Sequence, residues 1–337
     1  MHIPDGYMSP STYAVMGAAA APFVAHAVSR VRRESGDRHV PAIALGSAFA
    51  FALMMLNVPV PDGTTAHAVG GALLAVVLGP WAAVLAVTVV LIVQAVFFGD
   101  GGLLALGANV FNMAVLEPLA GYAVYRLLSA RRPGRRPWAA ALGAFVGINL
   151  AALATGVELG VQPLLFRSAS GTPLYAPYPL QVAVPAMLLA HLLVAGPVEA
   201  VVTGLVVGFL VRSGAGLYEP HAATGARLPR WAWAGLGLLV LSTPLGLLAH
   251  GTAWGEWGAE ELKAQLGYVP EGIRQAASAW HGLLPDYALP GFGHGWGEVA
   301  GTWLVVLLGI VLVALAVRLL LAGRRRRVAH PGSGTAR

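Results

Sequence analysis

Met1-His2 opens the chain with three nitrogen donors in a row: the α-amine of residue 1, the backbone nitrogen of His2 and Nδ1 of its imidazole. One cation can take all three by closing a five-membered and then a six-membered chelate ring. A second imidazole would complete four nitrogens in a plane, a donor set that favours Ni(II) or Cu(II). The amine must first lose its proton, from an ordinary pKa of about 8. The metal must also displace the amide proton, so such binding weakens in acid. Taken alone, a histidine at position 2 is an ordinary surface residue on a frayed end. Here Pro4 and Gly6 follow it, and both residue types favour turns, which suits a short terminal strand folded back on itself.

A second imidazole is on offer in Asp62-Gly63-Thr64-Thr65-Ala66-His67, which joins two apolar segments. On residue type alone, His67 reads equally as a capping or packing residue. His26, His191 and His250, in or beside apolar segments, read as structural. Gln94, Asn109 and Asn112 are polar residues inside apolar segments, where such groups are costly and face a partner or a cavity. They are candidates for hydrogen bonds that orient His2 and His67, with bonds that only tie helices together as the alternative. Asn109, Asn112, Met113 and Glu117 follow i, i+3, i+4, i+8 spacing and share one face of a regular helix. Glu117 and Glu199 read as structural.

Several chemistries are excluded. The chain has no Cys, hence no disulfide, thiolate metal site or cysteine nucleophile. It has no G-x-x-x-x-G-K-[ST] phosphate loop, no H-E-x-x-H and no G-x-S-x-G. Gly99-Asp100-Gly101-Gly102 has no lysine behind it and reads as an external turn. The chain therefore carries no visible energy source and no catalytic machinery, and is expected not to be an enzyme.

The elements that must position these donors are membrane helices. Of 337 residues, 57% are hydrophobic and 11% charged, against about 25% charged in soluble domains. Mean hydropathy is +0.70. An all-α integral membrane protein follows, a polytopic helical bundle. A bilayer core needs about 20 apolar residues per helix, and spans are expected near 11–29, 40–58, 65–79, 81–98, 103–127, 138–157, 180–211, 231–249 and 301–321. Pro185 and Pro197 predict a kink in the seventh. Basic clusters at Arg30–Arg33, Arg131–Arg136, Arg212–Arg230 and Arg324–Arg327 all fall on one side, which the positive-inside rule makes the cytoplasm. The net charge of +6 is thus a topology signal and not a nucleic-acid footprint. The N-terminus is expected outside and the C-terminus inside. Ala25-His26-Ala27 resembles a signal cleavage site, but Met1–Ser11 holds no Lys or Arg, so residue 1 is expected to stay the terminus.

These residues resemble the cobalt/nickel substrate-binding components, the CbiM/NikM family, of energy-coupling-factor transporters. The matching stretches are Met1-His2-Ile3-Pro4-Asp5-Gly6-Tyr7, MMLNVPVPDGTTAHAVGGALLAVVLGPW at 54–81, QAVFFGDGGLLALGANVFNM at 94–113, and the run from His191 to Thr203. The resemblance implies metal ligation by the Met1 amine, by the backbone nitrogen and imidazole of His2, and by His67. It implies a seven-span core over 1–212, a cytoplasmic linker at 213–230, and a two-span extension at 231–323 with an external segment at 250–300. A basic, disordered tail at 324–337 follows. The extension looks like a fused N-type subunit, although Leu284-Pro285-Asp286-Tyr287-Ala288-Leu289-Pro290-Gly291 departs from the PDGLE-type motif of some nickel fusions. Cobalt and nickel both stay open as substrate. A transmembrane coupling protein and two ATPase subunits are implied as partners. Ala44, Ala48 and Ala52, a small-residue stripe on the second span, are candidates for docking the coupling protein, with packing inside the bundle as the alternative. Two other readings compete: a stand-alone carrier using Glu117 or Glu199 as a proton relay, and a non-transporting membrane protein.

Overall fold

The computed structural model describes residues 1–34, 40–60, 64–130, 133–214, 216–218, 230–249, 251–276 and 279–322. Asp62, Gly63, His250, Arg131, Arg132, most of the expected linker and the expected basic tail lie outside the described residues.

A nine-residue segment that turns at Asp5–Gly6 leads into α1 (Pro10–Glu34). Pro10 begins the helix, where its missing N–H is no loss, and Ser9 Oγ accepts the Thr12 N–H at 3.2 Å as an N-cap. The next elements are α2 (Val40–Met54), β1 (Val58–Val60), β2 (Thr64–Ala66) and α3 (Gly71–Leu78). The two strands form an antiparallel hairpin with Val58 opposite Ala66. After Gly79, α4 (Pro80–Val93) runs into a π-helical turn at Gln94–Phe98. Next, α5 (Leu106–Asn109), a π-helical stretch at Val110–Leu116 and α6 (Glu117–Ser129) succeed one another without a break. They are followed by α7 (Arg136–Gly160) and the short α8 (Gln162–Leu165). Then α9 (Leu180–Ala190), containing Pro185, joins α10 (Gly196–Arg212) through a third π-helical turn, His191–Ala195. The extension holds α11 (Arg230–Ser242), α12 (Ala259–Leu266), α13 (Glu271–Ala276) and α14 (Trp296–Ala322).

The protein is an all-α polytopic membrane protein. Among the described residues, six helical stretches are long and apolar enough to cross a bilayer: Pro10–Glu34, Pro80–Phe98, Arg136–Leu165, Leu180–Arg212, Arg230–Leu248 and Trp296–Leu321. Val40–Met54 is a shorter apolar helix. Of these, α4 is the most enclosed, with Ala83 through Val87 all at or below 1% exposure. A helix that is apolar all round belongs in the interior.

The expected third span, 65–79, is not a helix of bilayer length. Its first residues pair in the β-hairpin, 67–70 have no regular secondary structure and include the left-handed Gly70, and α3 has only eight residues. The helix and the segment before it together reach roughly 20 Å. They run from the His67 end to Val76, whose carbonyl accepts the Tyr218 N–H beyond the end of α10. Hydropathy could not separate the two states because both are apolar. Irregular backbone at this depth must find internal partners. It does: Glu199 accepts the N–H groups of Val69 (2.7 Å) and Gly70 (3.0 Å), and Glu117 accepts that of Ala72 (3.3 Å).

The alanine stripe is occupied by the chain itself. Ala44, Ala48 and Ala52 are buried, and Ala48 and Ala52 pack with Leu236 and Val240 of α11 and Val306 of α14. The small residues let the extension's helices approach α2 closely, so this surface is not free for a coupling protein.

Candidate metal centre

The terminal strand is built into the bundle rather than frayed. Met1, His2 and Ile3 are at most 4% exposed. Asn109 brackets Ile3, its Oδ1 accepting the Ile3 N–H at 2.8 Å and its Nδ2 donating to the Ile3 carbonyl at 3.1 Å. The Gly102 N–H adds a bond to that carbonyl at 2.9 Å. Asp5 then accepts three successive N–H groups, from Leu103, Leu104 and Ala105, at 2.8–3.0 Å. Burial raises the Asp5 pKa and these three bonds oppose the rise. Tyr13 Oη accepts the Gly6 N–H at 2.7 Å, and Gln162 Oε1 accepts that of Ser9 at 3.0 Å.

This strand places His2 against His67. Their rings stack with centroids 5.1 Å apart and planes inclined by 29°. The two imidazoles are fixed in the same manner. His2 Nδ1 lies 3.1 Å from Asp100 Oδ1, and His67 Nδ1 lies 3.1 Å from the Ala68 carbonyl. With Nδ1 donating in each, both Nε2 atoms carry lone pairs, and both are buried without a partner. The Met1 ammonium lies 3.2 Å from Glu256 Oε1. Among the described residues the His2 N–H has no hydrogen-bond partner. Amine, amide and two imidazoles thus converge in a space closed to solvent. Among the described residues there is no group of three His, Cys, Asp or Glu side chains suited to a metal ion; here the terminal amine and backbone would stand in for the missing side chains. An apolar cavity of ≈ 730 Å³ among α2, α3, α10 and α11 lies at the other end of α3, and no His, Asp or Glu lines it.

A family model, "Cobalt uptake substrate-specific transmembrane region" (CbiM), matches residues 2–217. The chain belongs to this family of metal-transport proteins. It is 47% identical to the fused nickel transport protein NikMN of Rhodobacter capsulatus, over 95% of this chain and 96% of the relative. It is also 47% identical to a probable fused nickel transport protein, LarMN, of Lactiplantibacillus plantarum, over 93% and 96%. A solved structure titled as a truncated transition metal transporter is 59% identical and superposes with a TM-score of 0.60, covering 63% of this chain and 99% of that one.

Within this family frame, the polar residues singled out by sequence divide into three groups. Asn109 touches the ligand strand directly. Gln94 acts one step away, its Nε2 donating to Asp100 Oδ2 (3.4 Å) and to Tyr287 Oη (3.1 Å). Asn112 does not reach either histidine; its Nδ2 donates to Thr155 Oγ1 (3.1 Å) and Glu158 Oε2 (2.9 Å) on α7. The shared face expected for Asn109 and Asn112 assumed an α-helix. Val110–Leu116 is π-helical, with i→i+5 pairing, and the wider turn carries Asn112 round to α7. His26 packs on the Trp81 ring at 4.3 Å, and His191 Nδ1 lies 2.7 Å from the Met187 carbonyl, both structural arrangements.

Asp5, Asp100, Glu256 and Tyr287 were not singled out. Asp100 sits in the turn Gly99–Gly102, where Gly101 has φ +78° and a side chain in its place would collide with Asn109 Nδ2 at 2.8 Å. A glycine-flanked acid after a membrane helix was the available signal. Tyr287 gave none. Burial, Asp100 and Glu256 push its phenol well above the ordinary range, which keeps it a hydrogen-bond donor.

Proposed function

We propose that this chain captures Co2+ or Ni2+ on the outer side of the cytoplasmic membrane and delivers it for ATP-driven import, as the substrate-specificity subunit of an energy-coupling-factor transporter. One observation carries the reading: the rings of His2 and His67 stack, buried beside the Met1 amine, and His67 Nε2 is left without a partner. Buried polar atoms are normally paired, and an orphaned His67 Nε2 on a ring stacked against His2 is a fourth donor beside the nitrogens of Met1 and His2. The ligands in this proposal are the Met1 amine, the backbone nitrogen and imidazole of His2, and His67. Asn109 positions the strand, and the Ala68 carbonyl takes His67 Nδ1 and leaves its Nε2 open. The metal is substrate, held until handed on.

The work of import comes from partners, a transmembrane coupling protein and two ATPase subunits, because the chain has no nucleotide loop of its own. The distribution of Lys and Arg supports an outer N-terminus and a cytoplasmic C-terminus. Residues 1–212 form the metal-binding core, 213–230 a linker and 231–323 the extension. The names of the relatives, together with the nitrogen-rich donor set, favour Ni(II) or Co(II) over harder cations.

The test is to place one extra residue before Met1. That removes the amine from its position while leaving every side chain intact. Purified protein with the native terminus should bind Co2+ or Ni2+ tightly in competition with a chelator, and the extended protein should not. Equal affinity in the two would overturn the proposal.

A further inference from the structure

The apolar cavity of ≈ 730 Å³ takes no part in the metal centre, and it lies where the core meets the extension. Here α10 packs on α7 and α3, while α11 packs on α2 and α14. The two helices leave a gap between them that is floored by α2 and α3. Gly46 of α2 and Gly235 of α11 line it, and Leu205 and Phe209 of α10 stand exposed along its edge. The lining is apolar except for Ser213 and Trp231, which both lie at one end. On α10 it runs from Leu205 to Ser213, about 12 Å along the helix. That is most of the depth of one leaflet, about 15 Å of hydrocarbon.

Charge marks the end at which a headgroup would sit. Arg212 adjoins Ser213, and Arg230 adjoins Trp231. The rings of Phe209 and Trp231 meet edge to face with centroids 4.8 Å apart, which brings the ends of α10 and α11 together. Arg212 and Arg230 thus stand at the same mouth, both exposed. Among the described residues neither has a hydrogen-bond or salt-bridge partner.

We propose that this cavity holds an acyl chain of one anionic phospholipid, whose phosphate lies on Arg212 and Arg230. The distribution of Lys and Arg puts the mouth in the cytoplasmic leaflet. A tail gains nothing by leaving other tails for an apolar cleft, because both surroundings are equally apolar. Selective retention must therefore come from the headgroup, where each arginine contributes about fivefold. The cavity fixes the tail beneath that headgroup and so makes the position specific. A helix of a partner protein is the competing occupant, but two unpaired guanidinium groups at the mouth call for an anion. The bound lipid touches both core and extension, and fills the seam between them.

The experiment uses the full chain, purified in detergent and stripped of lipid. Phosphatidylglycerol or phosphatidylcholine with identical palmitoyl-oleoyl tails is added back, and bound lipid is counted by native mass spectrometry. Wild type should retain one phosphatidylglycerol at least tenfold more strongly than phosphatidylcholine. R212Q/R230Q should lose that preference. G235F puts a ring into the cavity at a position where an added Cβ meets nothing within 4 Å. It should release phosphatidylglycerol although both arginines remain. R33Q, at the basic end of α1, is the control and should keep wild-type retention. Equal retention of the two lipids by wild type would overturn the proposal, as would undiminished selectivity in R212Q/R230Q or in G235F. So would an equal loss in R33Q, which would mark a general effect of surface charge. Retention of neither lipid by wild type would also overturn it, and would leave the cavity to a helix of a partner protein.

Discussion

Asn109 pairs with Ile3 as a neighbouring strand would, accepting from its N–H and donating to its carbonyl with one side chain. The last residue of α5 thereby fixes the register of the residue after His2. Asn109→Ala leaves the buried Ile3 N–H without a partner, a cost of about 1–3 kcal/mol. It should weaken Co2+ or Ni2+ binding by about 10–100-fold, as the loss of a ligand-orienting partner does. Isothermal titration with the native terminus measures this, and unchanged affinity would show that the strand holds its own register.

His2→Ala and His67→Ala should each cost more than Asn109→Ala, because each removes a donor rather than its support. The two should also be non-additive, since residues sharing one ion act as a unit. A double variant no weaker than either single one is the expected result in a chelator competition assay. Retained tight binding in His67→Ala would place the fourth ligand elsewhere.

Glu199 supports His67 from a distance by holding the segment behind it. Glu199→Ala orphans the N–H groups of Val69 and Gly70, at about 1–3 kcal/mol each. It should lower the melting temperature markedly in detergent, while Glu199→Gln, which keeps a carbonyl acceptor, should lower it less. Equal melting of wild type and Glu199→Ala would count against this role.

Deleting 231–337 removes none of the proposed ligands. The shortened chain should still bind metal, and cells carrying it should accumulate less Co2+ or Ni2+ than cells with the full chain. Lost binding in the shortened chain, measured directly on purified protein, would show that the extension contributes a ligand.

The helical bundle could be read from apolar run lengths, residue types offered the nitrogens of Met1-His2 as candidate donors, and His67 was raised above a packing residue only by the family resemblance. What stayed hidden has a physical cause in each case. The 65–79 segment is mostly apolar, so hydropathy could not show that residues 65–70 are not helical, with Glu199 holding Val69 and Gly70 and Glu117 the first turn of α3. Asn112 was misplaced because a π-helical stretch shifts the angular period, and composition does not announce that shift. The alanine stripe at 44, 48 and 52 correctly marked a close helix approach, but small residues do not say whose helix arrives. Glu256 and Tyr287 lie in a polar segment with no periodicity, and only the folded chain brings them to residues 1 and 100.

The ion pair between Met1 and Glu256 spans 255 positions of sequence. Glu256 therefore emerges roughly 13–50 s after Met1 at ordinary rates of synthesis. Until then the terminus of a nascent chain is open. The Met1–Glu256 pair can form only once residue 256 is made, and a chain released before it would lack that partner.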